Sequence, residues 1–243
     1  MSIESKASEA LGNDPVQAED IIYERIVDAL IEKRLRPGER LNEAKLAAAY
    51  RMPRSRVRRA LNRLTAERLI CFEMHRGAFV SLPSVEEAYD IFEARLHIEA
   101  AVARVACERV DADGIRRLRE HLDIEHAAFA ENSPGVNRIS GDFHVMLAEV
   151  AGNNELTDII KPLVRRFCII QSLYERRSGV LCLVEEHKEI VSLIEARRTE
   201  AAAEAAMEHC RHIFHSLDLS SQRRSEADIY DADFVVPSAN NLR

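Results

Sequence analysis

Little in this chain interrupts a helix. It has 8 glycines and 7 prolines in 243 residues and an apolar fraction of 47%, which favours a globular, mainly helical protein. Long apolar runs are missing too: the longest covers only a few residues, far short of the roughly 20 needed to span a bilayer, so no membrane span is expected. Met1 to Asp20 is polar and acidic, without the apolar stretch that directs secretion, and this predicts a cytoplasmic protein. The cysteines Cys71, Cys107, Cys168, Cys182 and Cys210 are odd in number and contain no C-x-x-C pair. That excludes a disulfide framework and predicts reduced thiols packed in apolar surroundings. Phosphate loops, nucleophile elbows and paired-carboxylate motifs are absent as well, which removes the commoner enzyme classes.

Charge is present but unevenly placed. Residues 20–83 hold 14 Lys and Arg against 8 Asp and Glu, whereas residues 84–243 hold 19 against 29, within an overall net charge of −7. A localised positive third suits a polyanion, because neutralising phosphates supplies much of the affinity of a DNA-binding module. The acidic remainder suits a protein or small-ligand role.

Within the basic third, Ile21, Ile22, Ile26, Ala29, Leu30 and Leu35 recur at helical spacing and end at the turn Arg36-Pro37-Gly38,. Asn42 reads as the N-cap of a helix over Glu43 to Tyr50. Pro53 starts the next, whose apolar face is Val57, Leu61 and Leu64 and whose other face carries Arg54, Arg56, Arg58, Arg59 and Arg63,. Two β-prone runs, Leu69 to Glu73 and Ala78 to Leu82, flank His75-Arg76-Gly77, where glycine permits a tight turn,. Helices, basic turn and hairpin in this order are the pattern of a winged helix-turn-helix, which docks one helix in the major groove of duplex DNA and its wing alongside. Arginines at the start of the groove helix are placed to meet guanine edges or clamp phosphates. The expected contacts are Arg54, Ser55, Arg56 and Arg58 from the helix, with Arg76 and Gly77 from the wing.

After Pro83 the pattern changes to helices over Val85 to Val110, Ala112 to Glu131, Gly135 to Ala151, Leu156 to Arg177, Leu181 to Arg197 and Thr199 to Leu217,. The expected organisation is a tail over residues 1–19, the winged domain over 20–83, an all-helical six-helix bundle over 84–219 and a polar tail over 220–243 with an apolar patch at Phe234-Val235-Val236. The tails are expected to be disordered. In the bundle, His144, His187 and His209 lie mid-helix beside apolar residues. Inward projection from three helices would let neutral imidazoles meet in the core, where they suit zinc, nickel or manganese; hydrogen-bonded core histidines are the plainer reading.

The winged segment resembles the DNA-binding domain of the GntR family of bacterial transcription regulators, in R-L-R-P-G-E-R-L-N-E-A-K-L-A at Arg34 to Ala47, P-R-S-R-V-R-R-A-L-N-R-L at Pro53 to Leu64 and H-R-G-A-F-V at His75 to Val80. It departs from the family in having Pro53 for serine, Arg56 for proline, Arg59 for glutamate, and Ala44 where a DNA-contacting arginine is common. The bundle is similar to the ligand-binding (FCD) domain of the FadR subfamily, in R-L-H-I-E-A-A-V-A at Arg95 to Ala103, F-H-V-M-L-A-E-V-A-G-N at Phe143 to Asn153, E-H-K-E-I at Glu186 to Ile190 and A-A-M-E-H at Ala205 to His209. This resemblance implies a divalent metal on His144, His187 and His209, normally completed by an aspartate one turn before the first histidine. Here that position is Ser140, and Asp142 falls on another face.

The resemblance further implies a small organic acid as effector, with Arg95 lining its cavity; alternatively Arg95 pairs with Glu99 one turn away. A homodimeric repressor of a palindromic operator, released by the acid, is the function expected. The alternatives are a metal-dependent enzyme with Glu185 or Glu186 as base, and a bundle that only dimerises.

Overall fold

The computed structural model describes residues 15–174 and 181–219. Helix α1 (Pro15–Ile31) starts inside the segment expected as a tail. A proline lacks the amide hydrogen that a first helical turn leaves unbonded, and its fixed φ suits that position. The rest of the N-terminal tail and the whole C-terminal one, with Phe234-Val235-Val236, lie outside the described residues. Asn42 caps α2 (Glu43–Ala49) as expected, its side chain accepting from the amides of Ala44 and Lys45 at 2.9 and 3.0 Å. Helix α3 (Arg54–Ala66) follows Pro53 and buries Val57, Ala60, Leu61 and Leu64.

The expected hairpin is present as β2 (Ile70–Glu73) and β3 (Gly77–Val80), and a third strand joins it. β1 (Arg40–Leu41) pairs antiparallel with β3, giving the order β1-β3-β2. Two residues are too few to show a period of two, so the strand is defined by its partners: Val80 exchanges backbone hydrogen bonds with Gly38 and Glu39, each 2.9 Å,. At the wing turn Gly77 has φ +100°, a region that side chains disfavour,. A Cβ there would meet only ordinary contacts with Arg40, at 3.7 Å. Conformation rather than crowding requires the glycine.

Six further helices form the bundle: α4 (Val85–Arg109), α5 (Ala112–Ala130), α6 (Val136–Val150), α7 (Asn154–Tyr174), α8 (Leu181–Glu195) and α9 (Thr199–His215). Ser84 and Asp111 cap α4 and α5 through the amides of Glu87 and Gly114,. Helix α4 is central, packing against α6, α7, α8 and α9. Among the described residues no helix is long and apolar enough to cross a membrane. Of the cysteines, Cys107, Cys168 and Cys210 are buried free thiols, whereas Cys71 is exposed, contrary to expectation, because it occupies an outward position of β2. The Cys182 side chain lies outside the described residues.

The winged domain and the bundle share one apolar core, running from Ile22 and Tyr23 of α1 to Val164 of α7 and beyond. A half-buried polar clasp spans the junction. Arg165 of α7 donates to the Tyr23 hydroxyl at 2.5 Å and to Glu24 Oε1 at 2.6 Å. Arg138 of α6 donates to Glu24 Oε2 at 2.6 Å and lies 3.3 Å from Asp28 and 3.1 Å from Asp142. The Tyr23 hydroxyl in turn donates to Glu67, just past the end of α3. Burial alone would raise the Glu24 carboxyl, but the Arg138 hydrogen bond and the Arg165 charge, with Lys161 further off, hold it below the usual range,.

Because the folded value of Glu24 is depressed, its contribution is present above the usual carboxylate range and is lost as pH falls through the folded value. Glu24→Gln should therefore lower the melting temperature at neutral pH, with the gap to the native chain closing in acid. Arg165→Met removes one of the two arginines on Glu24 and the donor to the buried Tyr23 hydroxyl, and should cost about 1–3 kcal/mol in a denaturant titration. An unchanged midpoint would show that the clasp adds nothing to the shared apolar core.

Candidate DNA interface and buried histidine site

Helix α3 sorts its arginines by what lies beside each. Arg59 reaches Glu19 at 2.7 Å and Arg63 reaches Asp20 at 2.7 Å, both on α1, and the Arg63 guanidinium lies over the Tyr23 ring at 3.9 Å. These two hold α3 to α1. Arg58 is exposed and grips Glu43 at the head of α2 with two nitrogens, at 3.2 and 3.1 Å. Arg54 and Arg56, at the N-terminal turn, carry no ion pair among the described residues, and Arg54 and Ser55 are exposed. On the wing, Arg76 pairs with Glu73 and sits 5.1 Å from the Phe79 ring centroid, beside Gly77. The expected contact residues thus divide into the head of one helix and the tip of one hairpin, the two places that a winged domain presents to DNA.

The bundle site is built from five helices. His144 of α6 is flanked by Phe143, Leu147 and Ala148, and His187 of α8 precedes Ile190, Val191 and Ile194 by helical steps. His209 of α9 lies between Ala206 and Ile213. Each apolar stripe must face the core, so each imidazole faces it too. The three rings are buried, and their candidate ligand atoms lie within 4.8 Å of one another. Phe143 stacks on His187 with centroids 3.9 Å apart.

Every Nδ1 is engaged by a carboxylate: His144 by Glu99 at 2.6 Å, His187 by Glu125 at 2.8 Å and His209 by Glu186 at 2.7 Å. The Nε2 atoms of His187 and His209 face each other at 2.8 Å. Burial drives all three imidazoles toward the neutral form, His209 to about 4,. Burial would raise Glu99, but Arg95 and His144 hold it well below the usual range. Burial likewise raises Glu125 against the pull of the Ser140 hydroxyl and nearby imidazoles.

These contacts leave one position open. The chain Glu125···His187···His209···Glu186 has three hydrogen-bond gaps, and two neutral imidazoles bring two protons to fill them. The third gap needs a further proton or a cation. Three imidazoles whose Nδ1 atoms are tied to carboxylates are the donor set of transition-metal sites, where such outer partners fix the ring orientation. The residues fit a metal such as zinc, nickel or manganese.

Arg95 of α4 adopts the plainer arrangement. Its Nε donates to Glu99 Oε1 at 2.7 Å, Nη2 lies 2.6 Å from the same oxygen, and the guanidinium lies 4.4 Å from the Phe167 centroid. Asp142 is engaged with Arg138 and takes no part. Glu186, considered as a base, has its two oxygens on His209 and His212. Glu125 was not singled out from the sequence, although a signal existed: it falls in register with the buried stripe Leu118, Leu122 and Ala128 of α5, and an acid on an apolar stripe requires a partner.

A winged helix-turn-helix joined through a shared core to a helical bundle with a buried polar site defines a ligand-responsive DNA-binding regulator. Residues 18–80 match the bacterial regulatory proteins of the gntR family, and residues 90–212 match the FCD domain. The chain belongs to the GntR family of transcription regulators, in its FCD-containing branch, and is not an enzyme. It is 29% identical to the Nta operon transcriptional regulator of Aminobacter aminovorans, covering 83% of this chain and 95% of that one. To the HTH-type transcriptional repressor RspR of Escherichia coli K12 it is 23% identical, over 84% and 91%. Among solved structures, E. coli McbR/YncC superposes with a TM-score of 0.73 at 18% identity, covering 86% of this chain and 98% of that one. A putative GntR regulator from Rhodococcus gives 0.68 at 24%, over 82% and 99%.

The seat of His144 depends on close approach between α6 and α7. A Cβ on Gly141 would lie 2.4 Å from Cys168 Sγ and 3.2 Å from Val164 Cγ1. Gly141→Ala should therefore destabilise by about 1–3 kcal/mol through overpacking. Adding Cys168→Ala should return most of that loss in a thermal melt; a second variant no better than the first would place the crowding elsewhere.

Proposed function

We propose that the chain is a homodimeric repressor. Its winged domains grip the half-sites of a palindromic operator, and a small organic acid entering the bundle releases it. The observation that carries the sensing half is the buried cluster itself: three imidazoles around an unfilled hydrogen-bond gap, one residue removed from Arg95 through Glu99. His144, His187 and His209 would hold a divalent transition metal, which when bound supplies Lewis acidity for an anionic ligand. Arg95 would supply a charge-assisted hydrogen bond to the same carboxylate.

Helix α7 supports the coupling. Phe167, under the Arg95 guanidinium, is two residues from Arg165, which grips Tyr23 and Glu24 of α1. An acid that repositions Arg95 acts on α7 and, through Arg165, on the helix that carries α3. It shifts the equilibrium only insofar as it binds one arrangement better than the other. On the DNA side Arg54, Ser55, Arg56 and Arg58 enter the groove, and Arg76 with Gly77 follows the flanking backbone.

Two outcomes are expected. Arg54→Ala and Arg58→Ala should each weaken operator binding by about 1–3 kcal/mol, whereas Arg59→Ala should act on domain stability through its α1 pair; equal operator affinity in all three would sink the groove assignment. Protein purified without added metal or chelator should carry a transition metal, and each of His144→Ala, His187→Ala and His209→Ala should lose it. A melting screen against small carboxylic acids should then find one that stabilises by about 2.7 kcal/mol at a hundredfold excess over its Kd, and Arg95→Ala should abolish that shift. Stabilisation that survives Arg95→Ala would remove Arg95 from the effector site.

A further inference from the structure

The aspartate that usually completes this site is replaced by Ser140, which is buried on α6 one turn before His144. The replacement leaves a deficit of negative charge for any bound cation. Glu125 stands where that charge would be useful. It projects from the neighbouring helix α5, is 0% exposed, and places Oε2 2.8 Å from His187 Nδ1. Its other oxygen, Oε1, is the one buried side-chain polar atom among the described residues without a hydrogen-bond partner. The Ser140 hydroxyl faces the same carboxylate.

The other two carboxylates of the cluster have different obligations. Glu99 is ion-paired to Arg95, and Glu186 is shared between His209 and the exposed His212. Among the described residues Glu125 forms no ion pair with a lysine or arginine, and the charged groups around it are the imidazoles of His187, His144, His121 and His209. A carboxylate this deeply buried is strongly unfavourable unless it takes up a proton or the site supplies a positive charge. A divalent ion held by the three imidazoles would supply that charge in place of the proton,.

Resting on the metal reading above, we propose that Glu125 has taken over the charge role of the missing aspartate. It acts as a positioning residue: it orients His187 through Nδ1 and supplies the anion that retains the metal, while Ser140 leaves the coordination position of the aspartate open. Serine at 140 and glutamate at 125 form a matched pair, since an aspartate at 140 would face the Glu125 carboxylate across the space now held by a hydroxyl. The open position widens the room for an effector carboxylate at the metal.

The test is Zn2+ binding to the metal-stripped full chain, measured by competition with a chromophoric chelator and by metal content after dialysis. Glu125→Gln keeps the shape and a hydrogen-bond acceptor for His187 but removes the charge, and should weaken Zn2+ binding roughly 10- to 100-fold. Ser140→Ala should leave binding within a few-fold of the native chain. Glu125→Gln combined with Ser140→Asp returns the charge to its usual place and should recover the affinity. Native affinity in Glu125→Gln, or no recovery in the double variant, overturns the assignment while leaving the three-histidine site standing. A native chain that holds no Zn2+ overturns both.

Discussion

Charged groups deep in a helical bundle have to satisfy one another, and that constraint organises this molecule. Arg95, Glu99, Glu125, His144, His187 and His209 are all buried, and moving any one of them from water without a partner is strongly unfavourable. The partners are fixed by the helix packing: α4 brings Arg95 and Glu99 to His144 on α6, α5 brings Glu125 to His187 on α8, and α8 brings Glu186 to His209 on α9. A bundle whose task was only to dimerise would gain nothing from this arrangement, since apolar side chains of similar volume fill a core as stably or more so. The polar cluster is thus the feature of the domain that packing alone does not account for, and its geometry is set by α4, α5, α6, α8 and α9 together.

The same logic operates at the junction with the winged domain. A loosely tethered DNA-binding domain would need only an exposed linker, whereas here α1 is clamped by Arg138 and Arg165 over an apolar core common to both parts. Both oxygens of Glu24 are taken, one by each arginine. Rotation of α1 relative to α6 or α7 must break at least one of these bonds, so the junction favours discrete arrangements over a continuum. Discrete arrangements are what a ligand can select between.

Much of this was legible in the chain because the signals are local. Asn42 as a cap, the stripe Val57, Leu61 and Leu64, and six bundle helices within a few residues of their ends all follow from side-chain type and spacing. Apolar neighbours made inward projection of the three histidines feasible, and the family resemblance grouped them. What was not legible depends on partners distant in sequence. Strand β1 is two residues long and exists because β3 is there to pair with it. The hold of Glu19 and Asp20 on Arg59 and Arg63 spans some forty residues. Arg95 was left open between an effector and Glu99, and only the fold shows Glu99 bound to His144 as well, which makes the pair part of the site rather than an alternative to it.

The division among the arginines of α3 bears on how this protein reads DNA. Counting the helix by its sequence gives a surface more basic than that of its family, and suggests phosphate affinity gained at the expense of discrimination. The structure removes two of those charges from that count, because Arg59 and Arg63 are spent on Glu19, Asp20 and the Tyr23 ring. Arg59, which stands where glutamate is usual, is thus a packing adaptation to an acidic α1 rather than an extra DNA contact. Among the described residues Arg54 and Arg56 carry no ion pair at the helix head, and Arg58 is paired with Glu43. A pre-oriented guanidinium loses less freedom on meeting a guanine edge than a solvated one, so the Glu43 pair favours base reading over diffuse phosphate attraction. If these arginines are the groove contacts proposed above, selectivity would rest on a few oriented side chains, while Arg59 and Arg63 serve the packing of α3 on α1.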